Sequence, residues 1–313
     1  MTERNSLFPS MASQQSYFIN PAKASSPFLN TFSHQMKLTR YPTRVEWEEI
    51  EALGPGVRNY RGKKTLFYNG EELRGDDGEH LIYDEEERYS WKVIIVLPGV
   101  EVIPVLTFNK CNVKVVIMAN SVRRIENEAF NWCRSLEFIK FSTNLGYIGH
   151  WAFNGCESLT SIFIPESCRV IGYGAFHGCE RLIILNVPQT SELGVSVIAR
   201  TALIEASTFE TNEYGHYLRD TVAVNAWIKS MNDGEGFALH RICSSYNPEM
   251  EQVYGYVKDH GVHVMKLPNS IGITPSQYLA ANPYSEIEEG KLAKRYVLEM
   301  MGEFVQELSL IHI

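Results

Sequence analysis

The sequence predicts an α+β repeat protein: a short solenoid with one parallel β-strand per rung, followed by an α-helical C-terminal region. Three observations carry this reading. First, seven small or apolar columns recur at a step of 23 residues: Ile125, Ala129, Phe130, Cys133, Leu136, Ile139 and Phe141 return as Ile148, Ala152, Phe153, Cys156, Leu159, Ile162 and Ile164. They return again as Ile171, Ala175, Phe176, Cys179, Leu182, Leu185 and Val187. A fixed period in the twenties marks supersecondary units that stack because none can bury its apolar face alone. Second, each unit holds a short alternating stretch such as Leu159 to Pro165, whose period of two is that of a strand. Third, beyond residue 207 the apolar spacing changes to that of helices.

With 313 residues, 44% of them apolar and 12% aromatic, the chain is long enough for two or three units with a substantial core. Lys and Arg number 29 against 37 Asp and Glu, a formal charge of −8. That balance argues against an electrostatic grip on nucleic acid or on anionic lipid. No apolar run reaches the ~18 residues of a membrane span, and no signal-peptide core opens the sequence. The expectation is therefore a cytoplasmic or other intracellular protein. Three of the six cysteines share one repeat column beside Phe and Leu, so they read as small buried fillers rather than redox or metal centres.

Residues 1–43 are rich in Ser, Asn, Gln and Pro with a single acidic residue, Glu3, and are expected to form a flexible tail. Their low acidity also suits organelle targeting, against which stand the lack of arginine enrichment and of an amphipathic helix. Residues 44–90 read as a β-hairpin N-terminal cap region. Lys64 to Tyr68, then Asn69-Gly70, then Glu71 to Leu73 give the strand, tight turn and returning strand of a hairpin. The stretch from Gly56 to Thr65 has the wrong spacing for a phosphate loop, and the acidic clusters at 76–79 and 84–87 lack the spacing of a calcium loop.

The solenoid is expected to span 91–206. Upstream, Ile95 and Leu97 can be laid on the columns of Ile162 and Ile164, Ile103 near that of Ile171, and Phe108 and Cys111 on those of Phe130 and Cys133. This needs one deletion in the turn and a second after Cys111, where Val113, Val116 and Met118 rejoin the pattern. Past Val187 the Ala-Phe and Cys columns vanish while Ile198, Leu203 and Ile204 persist, as a terminal cap requires.

Ile148-Gly149-(x)2-Ala152-Phe153-(x)2-Cys156-(x)2-Leu159-(x)2-Ile162-x-Ile164-Pro165 and its successor from Ile171 resemble the BspA-type leucine-rich repeat. The resemblance implies a curved solenoid that binds proteins or surfaces; bacterial members are often cell-surface adhesins, and the family shares no catalytic residues. Strand alternation sends Phe138, Lys140, Ser161, Phe163, Ile184 and Asn186 to the outer strand face. That face is apolar enough either to dock a partner or to be covered by a flanking segment of the same chain.

Residues 207–307 are expected to be helical. Val222, Ala226, Trp227 and Ile228 mark a first helix, ended by Asn232-Asp233-Gly234. Asn247 and Pro248 start a second one carrying Met250, Val253, Tyr254 and Val257. Asn269-(x)2-Gly272-x-Thr274-Pro275-Ser276-Gln277-Tyr278-Leu279, with Leu239-His240 upstream, resembles the ankyrin motif. The 37-residue step and Ser276-Gln277 in place of Leu-His depart from it. A last amphipathic helix is expected over 293–304. The final six residues, 308–313, match one reading frame of a common transposase adapter and are expected to be a sequencing artefact.

No nucleophile elbow, metal pair or glycine loop organises the Ser, Asp and His residues, so no catalytic, cofactor-binding or metal residues are assigned. His150 and His177 fall in variable repeat positions, where solvated imidazoles are expected, and His240 is expected to serve as an ankyrin-type turn histidine. The function expected is a non-enzymatic protein-interaction scaffold without cofactor. The alternatives are an adhesin-like surface or secreted protein and an enzyme whose site the sequence does not mark.

Overall fold

The computed structural model describes residues 44–71, 90–217, 220–233 and 236–282. The tail, the two acidic clusters, the expected helix over 293–304 and the final six residues lie outside them. The chain runs α1 (Arg44–Leu53), β1 (Gly56–Tyr60), β2 (Lys63–Tyr68), β3 (Val93–Val96), β4 (Val102–Ile103), β5 (Val115–Met118), β6 (Arg124–Ile125), β7 (Phe138–Lys140) and β8 (Tyr147–Ile148). It continues through β9 (Ser161–Phe163), β10 (Val170–Ile171), β11 (Ile184–Asn186) and β12 (Glu192–Leu193). The helices after these are α2 (Ala202–Glu205), α3 (Thr221–Ser230), α4 (Ala238–Ser244), α5 (Met250–His260) and, after a 3-10 turn at Val262–Lys266, α6 (Pro275–Ala281).

Each rung contributes one strand to each of two parallel ladders. The wide ladder follows the order β1-β2-β3-β5-β7, with β9 and β11 paired separately; the narrow ladder follows β12-β10-β8-β6-β4. Between the ladders lie the repeat columns. Ile125, Ala129, Phe130, Cys133 and Leu136, and their counterparts in the next two rungs, are completely buried. The rings of Phe108, Phe130, Phe153 and Phe176 stack at centroid separations of 5.1, 5.2 and 5.7 Å, and Tyr68 closes the row edge-on at 5.1 Å.

The Ala-Phe-x-x-Cys segment is a hydrogen-bonding device as well as an apolar one. The N–H of Phe130 donates to Ala152 O and that of Phe153 to Ala175 O, both at 2.8 Å. The thiols of Cys133, Cys156 and Cys179 donate back to Phe108, Phe130 and Phe153 carbonyls at 3.0, 3.2 and 3.2 Å. Thus a buried irregular turn satisfies its own backbone groups. The turn requires two left-handed residues per rung: Glu128 and Trp132, then Trp151 and Gly155, then Gly174 and Gly178. Gly172 has a different reason to be glycine: a Cβ there would sit 2.6 Å from His150 N of the rung before.

The N-terminal region differs from expectation in two ways. β1 and β2 form an antiparallel hairpin in which Tyr60 pairs with Lys63, so the turn is Arg61-Gly62, both at positive φ. The turn is not Asn69-Gly70, and the segment expected to return after it runs into residues outside the description. β2 then pairs in parallel with β3 and opens the wide ladder. The second difference is register. Ile94 pairs with Val116, which pairs with Ile139, so Ile94 and Val96 point into the solenoid. Ile95 and Leu97, expected inside, instead form an outer cluster with Ile50 of α1 and Phe67 of β2. A one-residue slip inverts every side chain of a strand. With the register corrected, only the deletion between Cys111 and Val113 remains.

At the other end the worn last turn, within the expected span, keeps the backbone pattern of the repeat. Phe176 N donates to Val197 O, as Phe153 N does to Ala175 O. Thr201 stands where the cysteine column would continue and accepts from Ile204 N as the N-cap of α2. Tyr217, buried, accepts the Ile198 N–H on its hydroxyl at 3.0 Å. Helix α3 lies against β11, tied by Asn225 Nδ2 donating to Leu193 O at 3.0 Å and Lys229 Nζ donating to Gln189 O at 3.1 Å. Val224, Ile228, Leu239, Cys243 and Tyr246 join the same apolar core as the rungs, so solenoid and helices share one interior.

Within the helical region contacts repeat at a step of 37 residues. Asn269 Nδ2 donates to Asn232 Oδ1 at 2.8 Å and Asn282 Nδ2 to Ser245 O at 2.7 Å. Helix α4 packs against α6 across the same step. Helix α6 begins as its sequence requires, with Thr274 as N-cap, Pro275 in the first turn, and Gln277 completing a capping box.

Candidate interaction surface

The six outer-face residues divide into two sets. Phe163 and Lys140 are 3% exposed and Ile184 is completely buried, whereas Phe138, Ser161 and Asn186 are half-buried. Phe163 and Ile184 belong to the core shared with the C-terminal helices. The apolar face therefore does not stand open to a partner at these positions; the chain's own helical region covers it, because three large side chains on one face favour closure by the nearest apolar surface. At the N-terminal end helix α1 does the same over Phe67, Ile95 and Leu97.

The narrow ladder is the face left to solvent. Its inward residues Ile103, Ile125, Ile148 and Ile171 are buried, while the alternate residues Val102, Arg124 and Glu192 are exposed and Tyr147 and Val170 half-exposed. These five occur once per rung in register, each backbone held by its neighbours. The Arg124 guanidinium lies 4.1 Å from the Tyr147 ring centroid while its Nε contacts Glu126 at 2.8 Å. Such cross-strand pairing fixes long side chains before any partner arrives. Aromatic residues also mark the turn edge: the Trp132 indole is 39% exposed, and Trp151 packs edge-on to Tyr173.

His150 is exposed as expected, though its ring is hydrogen-bonded, whereas His177 is part-buried. Asn154 Nδ2 donates to Asn131 Oδ1 at 2.8 Å, which leaves Asn154 Oδ1 to accept the Nδ1–H of His177 at 2.9 Å. A second row runs alongside: His150 N donates to Asn127 Oδ1, and Tyr173 N to His150 Nδ1, each at 2.8 Å. Both are polar ladders at the repeat step. His177 also stacks on His216 at 5.1 Å, and its Nε2 is buried without a partner. Burial, reinforced by His216 and Arg200, brings its pKa down to about 4. His240 donates from Nε2 to Leu267 O at 2.8 Å, and burial lowers its pKa also.

The cysteines are likewise structural. All six are buried and none is in a disulfide. Burial pushes the thiols of Cys168 and Cys243 up to about 12 and raises those of Cys156 and Cys179 as well, so at these four the thiolate needed for nucleophilic or metal chemistry is suppressed. Among the described residues no three His, Cys, Asp or Glu gather as metal ligands, and no helix is long and apolar enough to cross a membrane.

Fold and surface together define a parallel β-solenoid closed at its C-terminal end by packed helices. Residues 101–215 match the BspA type leucine rich repeat region, in six copies. Over those residues the solenoid is similar to the BspA-type leucine-rich repeat. No curated protein matches the chain. Among solved structures, it is similar to a leucine-rich repeat protein from Bacteroides ovatus, at 22% identity over 48% of this chain and 49% of that one, with a TM-score of 0.37. It is also similar to a leucine rich cell surface protein from Faecalibacterium prausnitzii, at 22% identity over 50% and 43%, TM-score 0.31. The pneumococcal vaccine antigen PcpA is similar at 20% identity over 47% and 37%, TM-score 0.33. The chain spans half or less of the length of these three proteins.

Proposed function

We propose that the chain is a non-catalytic protein-interaction scaffold whose docking surface is the narrow ladder rather than the wide strand face. The observation that carries this is the register of Val102, Arg124, Tyr147, Val170 and Glu192, one per rung, exposed or half-exposed on backbone-bonded strands. A row held rigid before binding loses little conformational entropy on docking. Apolar, aromatic and charged groups alternate along it, the mixture that protein interfaces use. The helical region acts as an ankyrin-like cap in this reading. Support comes from Gly272 at φ +78, the capping box of Thr274, and the His240 hydrogen bond to Leu267 O. The buried free thiols suit an intracellular setting.

The test is affinity capture from cell extract with the wild type and an Arg124→Glu/Tyr147→Ala variant of equal thermal stability. The variant is expected to lose the partners that the wild type retains. Identical partner sets for both proteins would reject the narrow ladder as the docking surface.

A further inference from the structure

The two left-handed turn positions of each rung are filled differently along the solenoid. At the second of them the series reads Lys110, Trp132, Gly155, Gly178, Arg200, all at positive φ. Where side chains give way to glycine the edge steps inward, and the Trp132 indole lies down on Gly155, 3.0 Å from where a Cβ would be. The guanidinium of Arg134 sits 4.8 Å from the same ring centroid. The indole is thereby fixed, yet 39% exposed.

Beside it opens a cleft of about 660 Å³ lined by Lys110, Cys111, Asn112, Trp132, Arg134 and Ser135. Its lining has two cations, an aromatic wall, an amide and a hydroxyl, and no carboxylate. Arg134 reaches Glu157 through Nε at 3.2 Å, but that pair is exposed, 62% for the arginine and 38% for the glutamate, and so holds the guanidinium weakly. Lys114 is engaged by Glu137 at 2.7 Å; Lys110 has no carboxylate partner among the described residues. In a chain of net charge −8 a cleft whose lining holds two cations and no carboxylate is a local reversal of sign. Trp and Arg are also the side chains that dominate the energetics of protein interfaces.

We propose that this cleft binds an acidic segment of a partner protein, its carboxylates paired with Lys110 and Arg134 and its backbone or an apolar side chain lying against Trp132. The proposal rests on the reading of the chain as a protein-interaction module and adds a second contact of defined chemistry to it. Ser135 supplies a neutral hydrogen-bonding group for the peptide backbone. Charge pairing of this kind sets partner choice and approach more than it adds raw affinity, so binding is salt-sensitive.

The probe is a fluorescein-labelled octaglutamate peptide, titrated by anisotropy into the full chain at low salt, with octalysine as the control. Octaglutamate is expected to bind and octalysine not; Lys110→Glu and Trp132→Ala should each weaken binding about tenfold or more, the loss of one strong interface contact. Lys110 is exposed, so its variant keeps the melting temperature and decides the matter if Trp132→Ala unfolds. Undiminished octaglutamate binding by Lys110→Glu, or no preference over octalysine, overturns the proposal. Either result is read on pure protein and leaves the narrow-ladder reading, tested through Arg124 and Tyr147, standing.

Discussion

The hydroxyl of Tyr246 donates a 2.7 Å hydrogen bond to the carbonyl oxygen of Phe141, 105 residues upstream and buried. Its cause is a proline. In the wide ladder Ala119 N donates to Val96 O, and the residue two repeat steps on from Ala119 is Pro165. Proline has no N–H, so Pro165 cannot repeat toward Phe141 O the bond that Ala119 N makes to Val96 O. Tyr246 supplies the missing donor from the helical region. Tyr246→Phe is expected to lower stability by about 0.5–1.5 kcal/mol, the net contribution of one hydrogen bond. In a Pro165→Ala background, where the backbone donor returns, the same substitution should cost less. Urea denaturation of the four proteins gives the coupling, and a coupling of zero would refute the substitution of one donor for the other.

Gly172 and Gly178 separate two reasons for glycine in one rung. At Gly172 an added Cβ meets His150 N at 2.6 Å and Gly149 C at 2.7 Å, both backbone, so adjacent rungs must move apart. At Gly178 the nearest atom is 3.5 Å away, but φ is +68. Gly178→Ala should therefore cost only the left-handed strain, about 1–2 kcal/mol. Gly172→Ala should cost more than that, at or beyond the upper end of the ~1–3 kcal/mol of an overpacked core. Chemical denaturation ranks them, and the reverse order would mean that the rungs separate easily.

These cases show how much of the molecule the sequence discloses. Seven columns at one step sufficed for the solenoid, because apolar periodicity and rung-to-rung stacking are the same constraint. The columns could not fix Ile95, since a strand buried on both faces has no alternation to set its register. Asn69-Gly70 is a strong local turn signal, but local signals do not say which strand finds a partner. The polar rows Asn131–Asn154–His177 and Asn127–His150 were available at the repeat step, but polar residues between apolar columns read as solvated until their partners are placed. For the docking surface, the apolar character of Phe138, Phe163 and Ile184 was visible; what covers it depends on tertiary contacts made some forty to a hundred residues later.

His177 gives the chain an acid-sensitive element. Its folded pKa of about 4 lies below the ordinary 6.5 because burial disfavours the imidazolium, with His216 and Arg200 adding to the penalty. Between those values the unfolded chain takes up a proton that the folded chain refuses. The contribution of this residue is therefore fully present above about pH 6.5, declines as pH falls toward 4, and changes no further below. The slope has a ceiling of about 1.4 kcal/mol per pH unit. His177→Asn, which continues the asparagine row without a titrating group, should flatten this limb. Urea midpoints at pH 7.5, 6 and 5 would show it, and parallel pH profiles for the two proteins would exclude His177 as the source.

Phe163 and Tyr147 lie on opposite ladders, and their substitution distinguishes the covered face from the open one. Phe163 is 3% exposed within the core shared by rungs and helices, so Phe163→Asp places a carboxylate where no water reaches it. The loss of the ring alone costs about 3–5 kcal/mol, and the buried charge adds to it. Such a protein should melt at a much lower temperature or without cooperativity. Tyr147 is half-exposed and its main contact is the Arg124 guanidinium, so Tyr147→Ala should cost about 0.5–1 kcal/mol. Thermal unfolding by circular dichroism compares them directly. Equal melting temperatures for Phe163→Asp and the wild type would mean that the helices do not seal the wide strand face in solution, and would return that face to consideration as the docking surface.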